Sequence, residues 1–343
     1  MNFESKYIKA PEIYGTYWLN SEPVSIQMHG FLGVLVHFWD YTDMNSIRTF
    51  PYIDNWCEKY KDFGLLVIGV HSPEFDFAKS IENVEQATKH FNISYPVVID
   101  NDALVKNAYG VRSLPTRFLI DREGFIRFIH YGEGNYIEFE RAIQQLLSES
   151  GFRGELPLLS LPLRKEDTTG VVCYPQTGKL YFGYLKGALG NPEGYNPEST
   201  IDYQDPGIYM QEKFYLKGKW KNQRQCLSYE GFKGEEGMVI IPYRGCDVNA
   251  VMGSSNGVSC EVEVYQDDRP VSKEVAGIDC IRRDQNSTVI IVTNYRIYNI
   301  ISCNSFGEHL LRLSTFDNNL EIYTVSFTTS VIPEFAPTNE LFL

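Results

Sequence analysis

The chain has 343 residues, 43% hydrophobic and 14% aromatic, a composition that excludes disorder and a length that calls for two cores rather than one. Its 31 Lys and Arg stand against 44 Asp and Glu, and the net charge of -13 argues against nucleic acid and anionic lipid as partners. No stretch approaches the ~20 apolar residues of a spanning helix, and the first eleven residues lack a signal-peptide core, so no membrane insertion and a cytoplasmic location are expected.

In the first half, strand and helix signals alternate. Phe31 to Trp39 is a β-branched and aromatic run, and Met44 to Lys61 has helical spacing through Ile47, Phe50, Ile53, Trp56 and Tyr60, with Pro51 removing one backbone donor. Leu65 to Val70 reads as the next strand. Ser72-Pro73 predicts an N-cap and first helical residue, opening a helical region to about Phe91. Pro96 to Ile99 is a short strand, Asp102 to Tyr109 a short helix stopped by Gly110, and Thr116 to Ile120 a strand. A hairpin turn at Asp121 to Gly124 leads to Phe125–His130, and Tyr136 to Ser150 closes an α/β domain over 1–151 as an amphipathic helix.

Residues 152–166 carry Gly, Pro and Leu without a clear period and read as a linker. Beyond them, short runs rich in Tyr, Val, Ile and Phe recur between turn residues, which predicts a jelly-roll-like β-sandwich over 167–330 and a tail over 331–343. The seven cysteines are widely spread, with no redox or zinc spacing, and read as buried small hydrophobes. Pairing among the six in the second half stays open. Asp202, Asp205, Asp267 and Asp268 supply carboxylates without the spacing of a calcium loop, so neither a metal nor a cofactor is expected.

The chemically telling stretch joins the first strand to the first helix, where Phe38-Trp39 is followed by Asp43-Met-Asn-Ser46. Gly69-Val-His71-Ser-Pro-Glu74, Tyr95-Pro-Val-Val-Ile-Asp100, Ser113-Leu-Pro115-Thr116 and Phe118-Leu-Ile-Asp121-Arg-Glu-Gly124 follow in order. Together these segments resemble the thioredoxin-like superfamily, in its branch of TlpA-like proteins and the soluble C-terminal region of DipZ-type disulfide reductases. Asp43 and Ser46 then stand where that family carries the two thiols of Cys-x-x-Cys. The resemblance implies a cis Pro115 within reach of Asp43 and Ser46. The second half, through Tyr181-Phe-Gly-Tyr184, Phe214-Tyr-Leu-Lys-Gly-Lys-Trp220 and Gly307-Glu-His-Leu-Leu-Arg312, is similar to the carbohydrate-binding-module-like sandwich of DipZ-type proteins.

A carboxylate and a hydroxyl cannot perform thiol–disulfide exchange, which needs a thiolate and a resolving thiol. Asp43 is placed either to cap the helix or to grip a ligand. Ser46, Asp43 and His71 at the strand ends form a conceivable hydrolase trio, although a serine inside a helical turn lacks the exposure of a nucleophile elbow. Cys57 lies too far along the helix for the helix dipole to activate it. The sequence therefore points to a redox-inactive protein that holds a peptide or partner in a groove around Trp39, His71, Leu114 and Pro115. Thiol chemistry through another cysteine is one alternative. Glycan stacking on Tyr184, Tyr195, Tyr203, Trp220 or Tyr243 is the other.

Overall fold

The structure is a computed structural model that describes residues 8–27 and 30–335. The last eight residues of the expected tail lie outside them. The chain divides into two compact units, Met1–Gly170 and Val171–Leu343.

In chain order the first unit contains β1 (Trp18–Leu19), β2 (Gly33–Trp39), α1 (Met44–Tyr60), β3 (Leu65–His71), α2 (Ile81–His90), β4 (Val97–Ile99), α3 (Leu104–Ala108), β5 (Thr116–Asp121), β6 (Ile126–Tyr131) and α4 (Tyr136–Glu149). The strands form one sheet in the order β1-β4-β3-β2-β5-β6. β2, β3 and β4 are mutually parallel, whereas β5 runs antiparallel to β2 and forms a hairpin with β6. Every residue of β2 is buried, as a central strand covered on both faces requires. Val34, Val36 and Phe38 pack on one face with Ile68, Val70, Phe118 and Ile120. Leu35 and Trp39 pack on the other with Phe50, Ile53 and Trp56 of α1 and Phe139, Ile143 and Leu146 of α4. α1 runs unbroken through Pro51.

One helix start differs from the sequence expectation. Ser72 does not cap a helix, because β3 extends to His71 and the Ser72 hydroxyl donates to Asp100 instead, at 3.3 Å. Ser80 is the true N-cap of α2, accepting from the Asn83 N–H. The stretch that reads as a linker is packed on the first unit. Gln144 Nε2 donates to the Pro157 carbonyl at 2.7 Å, the Ser160 N–H to Glu140 at 2.9 Å, and the Leu163 N–H to the Tyr52 hydroxyl at 2.7 Å.

The second unit is built of antiparallel strands in two layers. One sheet holds Cys280–Arg282, Thr288–Val292, Cys260–Gln266, Gly307–Thr315 and Gly237–Gly245; the other holds Leu227–Tyr229, Leu320–Phe327, Val248–Ser254 and Arg296–Ile301. The strand Tyr215–Asn222 belongs to both. Its residues 215–217 pair with Gly237–Gly245, while 218–222 pair with Thr200–Tyr203 and Leu227–Tyr229. The switch falls at Gly218, whose φ of +88° favours glycine and whose Cβ, were there one, would lie 2.6 Å from the Glu236 carbonyl oxygen. Leu216, Trp220, Val239, Ile241, Tyr243, Ala250, Met252, Val262, Leu313 and Ile322 fill the core between the layers.

Candidate functional site

Asp43 and Ser46 meet at the start of α1, where β2 delivers the chain to the carboxyl edge of the sheet. Asp43 has extended backbone and is the N-cap: its Oδ2 accepts both the Ser46 N–H and the Ser46 hydroxyl, each at 2.9 Å. One carboxylate oxygen therefore satisfies a donor that the helix leaves orphaned and also holds the only hydroxyl of the tetrad. Asp43 is 7% exposed and Ser46 fully buried. The Ser46 oxygen also accepts, at 3.4 Å, from the Asp40 N–H. At these two positions the arrangement holds no exchangeable pair of sulfurs.

The Leu114–Pro115 peptide is cis. Thr116, the next residue, pairs with Phe38, so the register carries Pro115 to the Trp39 end of β2. Pro115 is buried and its carbonyl accepts from the Gly132 N–H at 2.7 Å. Leu114 is half-buried, and Arg112 and Ser113 are exposed.

Trp39 and His71, expected to line an accessible groove, are fully buried. His71 does not join Ser46 and Asp43 in a relay. Its Nε2 lies 3.6 Å from Asp40 Oδ1, and its ring stacks on Tyr41 and meets Trp39 edge-on. Burial raises the Asp40 pKa, but the His71 contact and the N–H groups of Thr42 and Glu74 outweigh it and hold the carboxyl below its usual range.

No activated thiol emerges among the groups with a resolved shift. Burial, then Glu58 and Asp54, push Cys57 up to about 11, and burial pushes Cys280 up to about 11 as well. Burial likewise raises Cys226 and Cys260. A higher pKa means less thiolate at neutral pH, and so a slower nucleophile.

The proposed aromatic platform of the second unit does not assemble. Trp220, Tyr243 and Tyr203 are fully buried in the sandwich core, with the Trp220 indole N–H donating to the Lys217 carbonyl and the Tyr243 hydroxyl accepting from Gln266. Tyr195 packs against the core and donates to the Phe182 carbonyl. Tyr184 is likewise half-buried, and its hydroxyl donates to Glu198 at 3.0 Å. Asp205 accepts from Tyr209, Asp267 meets His309 at 2.7 Å, and Asp268 pairs with Arg312, so these carboxylates serve their own turns.

Two residues of consequence escape a motif-based reading: His37 and Arg117, both fully buried and directly paired across β2 and β5. Their only signal in the sequence is a basic residue inside each of two otherwise apolar runs.

Residues 9–129 match the AhpC/TSA family and residues 177–328 the thioredoxin-like C-terminal domain family. The chain is 31% identical to the protein DipZ of Mycobacterium tuberculosis over 274 residues, covering 78% of this chain and 38% of DipZ. It thus spans about two-fifths of the length of the DipZ proteins it matches. Over 141 residues it is 25% identical to the thiol-disulfide oxidoreductase YkuV of Bacillus subtilis, covering 41% of this chain and 95% of YkuV. A 151-residue match at 30% identity joins it to the chloroplastic protein SUPPRESSOR OF QUENCHING 1 of Arabidopsis thaliana, covering 43% of this chain and 14% of that protein. Among the described residues, no helix is long and apolar enough to cross a membrane.

Proposed function

Given that this chain belongs to the thioredoxin-like superfamily, with relatives named for thiol–disulfide exchange, we propose that it works as a binding protein and has left disulfide chemistry behind. The observation that carries this reading is the closed Asp43–Ser46 lock at the two positions where exchange would need sulfur. Thiol pKa values near 11 at Cys57 and Cys280 support it, since neither thiol would be appreciably ionised at neutral pH.

The binding edge that fits the geometry is the rim of the former redox site: Met44 and Asn45 at the head of α1, and Arg112, Ser113 and Leu114 before the cis proline. These are exposed or half-buried, and the residues before the proline lie outside any strand. An extended peptide laid there would pair its backbone with residues 112–114 and seat an apolar side chain on Leu114. Beneath it, Trp39, His71 and Pro115 are buried.

The test has two arms on the full chain. Turnover of a protein disulfide with a thiol reductant is compared between the natural chain and an Asp43→Cys/Ser46→Cys variant; the expected result is background turnover for the first and catalysis for the second. Natural-chain turnover above background would overturn the reading. In the second arm, extended peptides should slow amide exchange at residues 112–114, and protection confined to the second unit would move the binding site there.

A further inference from the structure

His37 and Arg117 lie inside the first unit, and nothing in the binding reading uses them. As opposed residues of an antiparallel pair they point to the same face, with Cβ atoms about 4.5–5.5 Å apart. Among the described residues the guanidinium makes one hydrogen bond, from Nη2 to the Gly134 carbonyl, and rests against the rings of Phe139, Tyr136 and Trp56 at 4.7, 5.1 and 5.9 Å. Its Nε and Nη1 are buried with no hydrogen-bond partner among the described residues.

His37 faces the first two turns of α1. Its Nε2 is 3.0 Å from Thr49 Oγ1, and that hydroxyl donates to the Ser46 carbonyl at 2.6 Å. With the threonine proton committed to the carbonyl, His37 must donate at Nε2. Nδ1 is then a buried lone pair, without a hydrogen-bond partner among the described residues.

Protonation of this ring would put an N–H on Nδ1 with nothing to accept it, and a second buried cation opposite Arg117. Burial, and then Arg117, accordingly hold the His37 pKa well below the usual imidazole value. The surroundings supply no compensating group at the ring itself. β3 contributes Gly69, α1 contributes Thr49 and Phe50, and the charged or titratable side chains near the pair are Arg117 on β5, Tyr136 on α4, and Glu133 and His130 at the end of β6. Arg48 of α1 is turned to Glu133. On two sides His37 is walled by strand ladders, whereas toward α1 it meets Thr49 and the edge of the Phe50 ring in the second turn.

We infer that His37 is a pH-sensitive latch on the opening turns of α1: neutral, it ties Thr49 and the Ser46 carbonyl to the sheet; protonated, it keeps that donor but adds a charge and an Nδ1–H that the closed site cannot satisfy, so proton uptake favours a form in which the turns carrying Asp43, Ser46 and Thr49 open to water while the sheet stays folded. The inference is independent of what the rim binds.

The experiment is amide hydrogen exchange on the full chain at pH 7 and pH 5, corrected for intrinsic rates, at Ser46 and Ile47 and at the β2 ladder. At 1.5 units below the ordinary histidine value of about 6.5, a latch that opens on proton uptake raises the opening constant of the turn about twenty-five-fold. The β2 amides should stay unchanged, and His37→Gln, which can still donate to Thr49, should lose the pH dependence. An equal rise in β2, or the same rise in His37→Gln, would overturn the latch. So would an NMR titration of the natural chain in which His37 takes up a proton while the Ser46 and Ile47 amides remain protected.

Discussion

Replacing Asp43 with alanine isolates the price of the lock that stands in the former redox site. Two interactions are lost together. The helix loses its N-cap, worth about 1 kcal/mol with a range of about 0.5–2, and the fully buried Ser46 hydroxyl loses the acceptor that satisfies it, an orphaning that costs about 1–3 kcal/mol. The sum is about 2–4 kcal/mol, or about 5–15 °C in the melting temperature of a unit of this size. Asp43→Asn keeps an acceptor oxygen and should lose about 1 kcal/mol. In a Ser46→Ala background no hydroxyl remains to orphan, so Asp43→Ala should cost only the cap term. Urea unfolding of the full chain, followed by the fluorescence of the buried Trp39 and Trp56, measures all four. If Asp43→Ala lies within 0.5 kcal/mol of the parent, or costs the same with and without the serine hydroxyl, the lock has no energetic content and the argument is wrong. The same bookkeeping applies to the cysteine-restored variant, whose inactivity would be informative only once its melt shows a folded first unit.

Burial holds both His37 and His130 below the usual histidine value, with Arg117 adding to each. The unfolded chain therefore takes up protons first as pH falls, and stability is fully present above about pH 6.5 and lost below it, at about 1.4 kcal/mol per pH unit for His37. Urea unfolding should show a fall of about 2 kcal/mol between pH 7 and pH 5 from His37, which His37→Gln removes while the His130 contribution remains. Gly69→Ala would place a methyl 2.8 Å from Trp39 Nε1 and 2.9 Å from the Tyr95 ring, and should cost about 1–3 kcal/mol in the same assay. Arg117→Met trades one hydrogen bond for the removal of a buried charge and two unsatisfied donors, so stability should hold or rise by about 1–3 kcal/mol. A loss above 2 kcal/mol would mean the aromatic rings around the guanidinium stabilise it more than supposed. Tyr184→Phe removes only an exposed hydroxyl contact to Glu198 and should leave the melt unchanged.

The parallel core of the first unit was legible because β2 and β3 are apolar on both faces, a pattern that only a strand covered on both sides shows. The Asp43 cap was equally legible, since an aspartate before a helical period has few other uses. β1 was not, being two residues long with its identity set by pairing to β4. The α2 start was misplaced because Ser72-Pro73 imitates a cap, while the serine is held by Asp100, a contact 28 residues away. The aromatic residues of the second unit misled for a different reason. Val239, Ile241 and Tyr243 alternate inward along one strand, so the phase of the strand, not the chemistry of the ring, decided their burial. His37 and Arg117 each look like an exception in an apolar run, and only the antiparallel register shows that the two exceptions face one another.

The strand Tyr215–Asn222 gives the second unit a mechanical property of its own. A sandwich whose layers touch only through side chains can shear or shed one layer, but here a single backbone is hydrogen-bonded into both. Pulling on either layer loads the other through eight residues of continuous chain. Halves of this unit should accordingly not survive as separate fragments, and a nick at Gly218 should lower the melt of the whole unit.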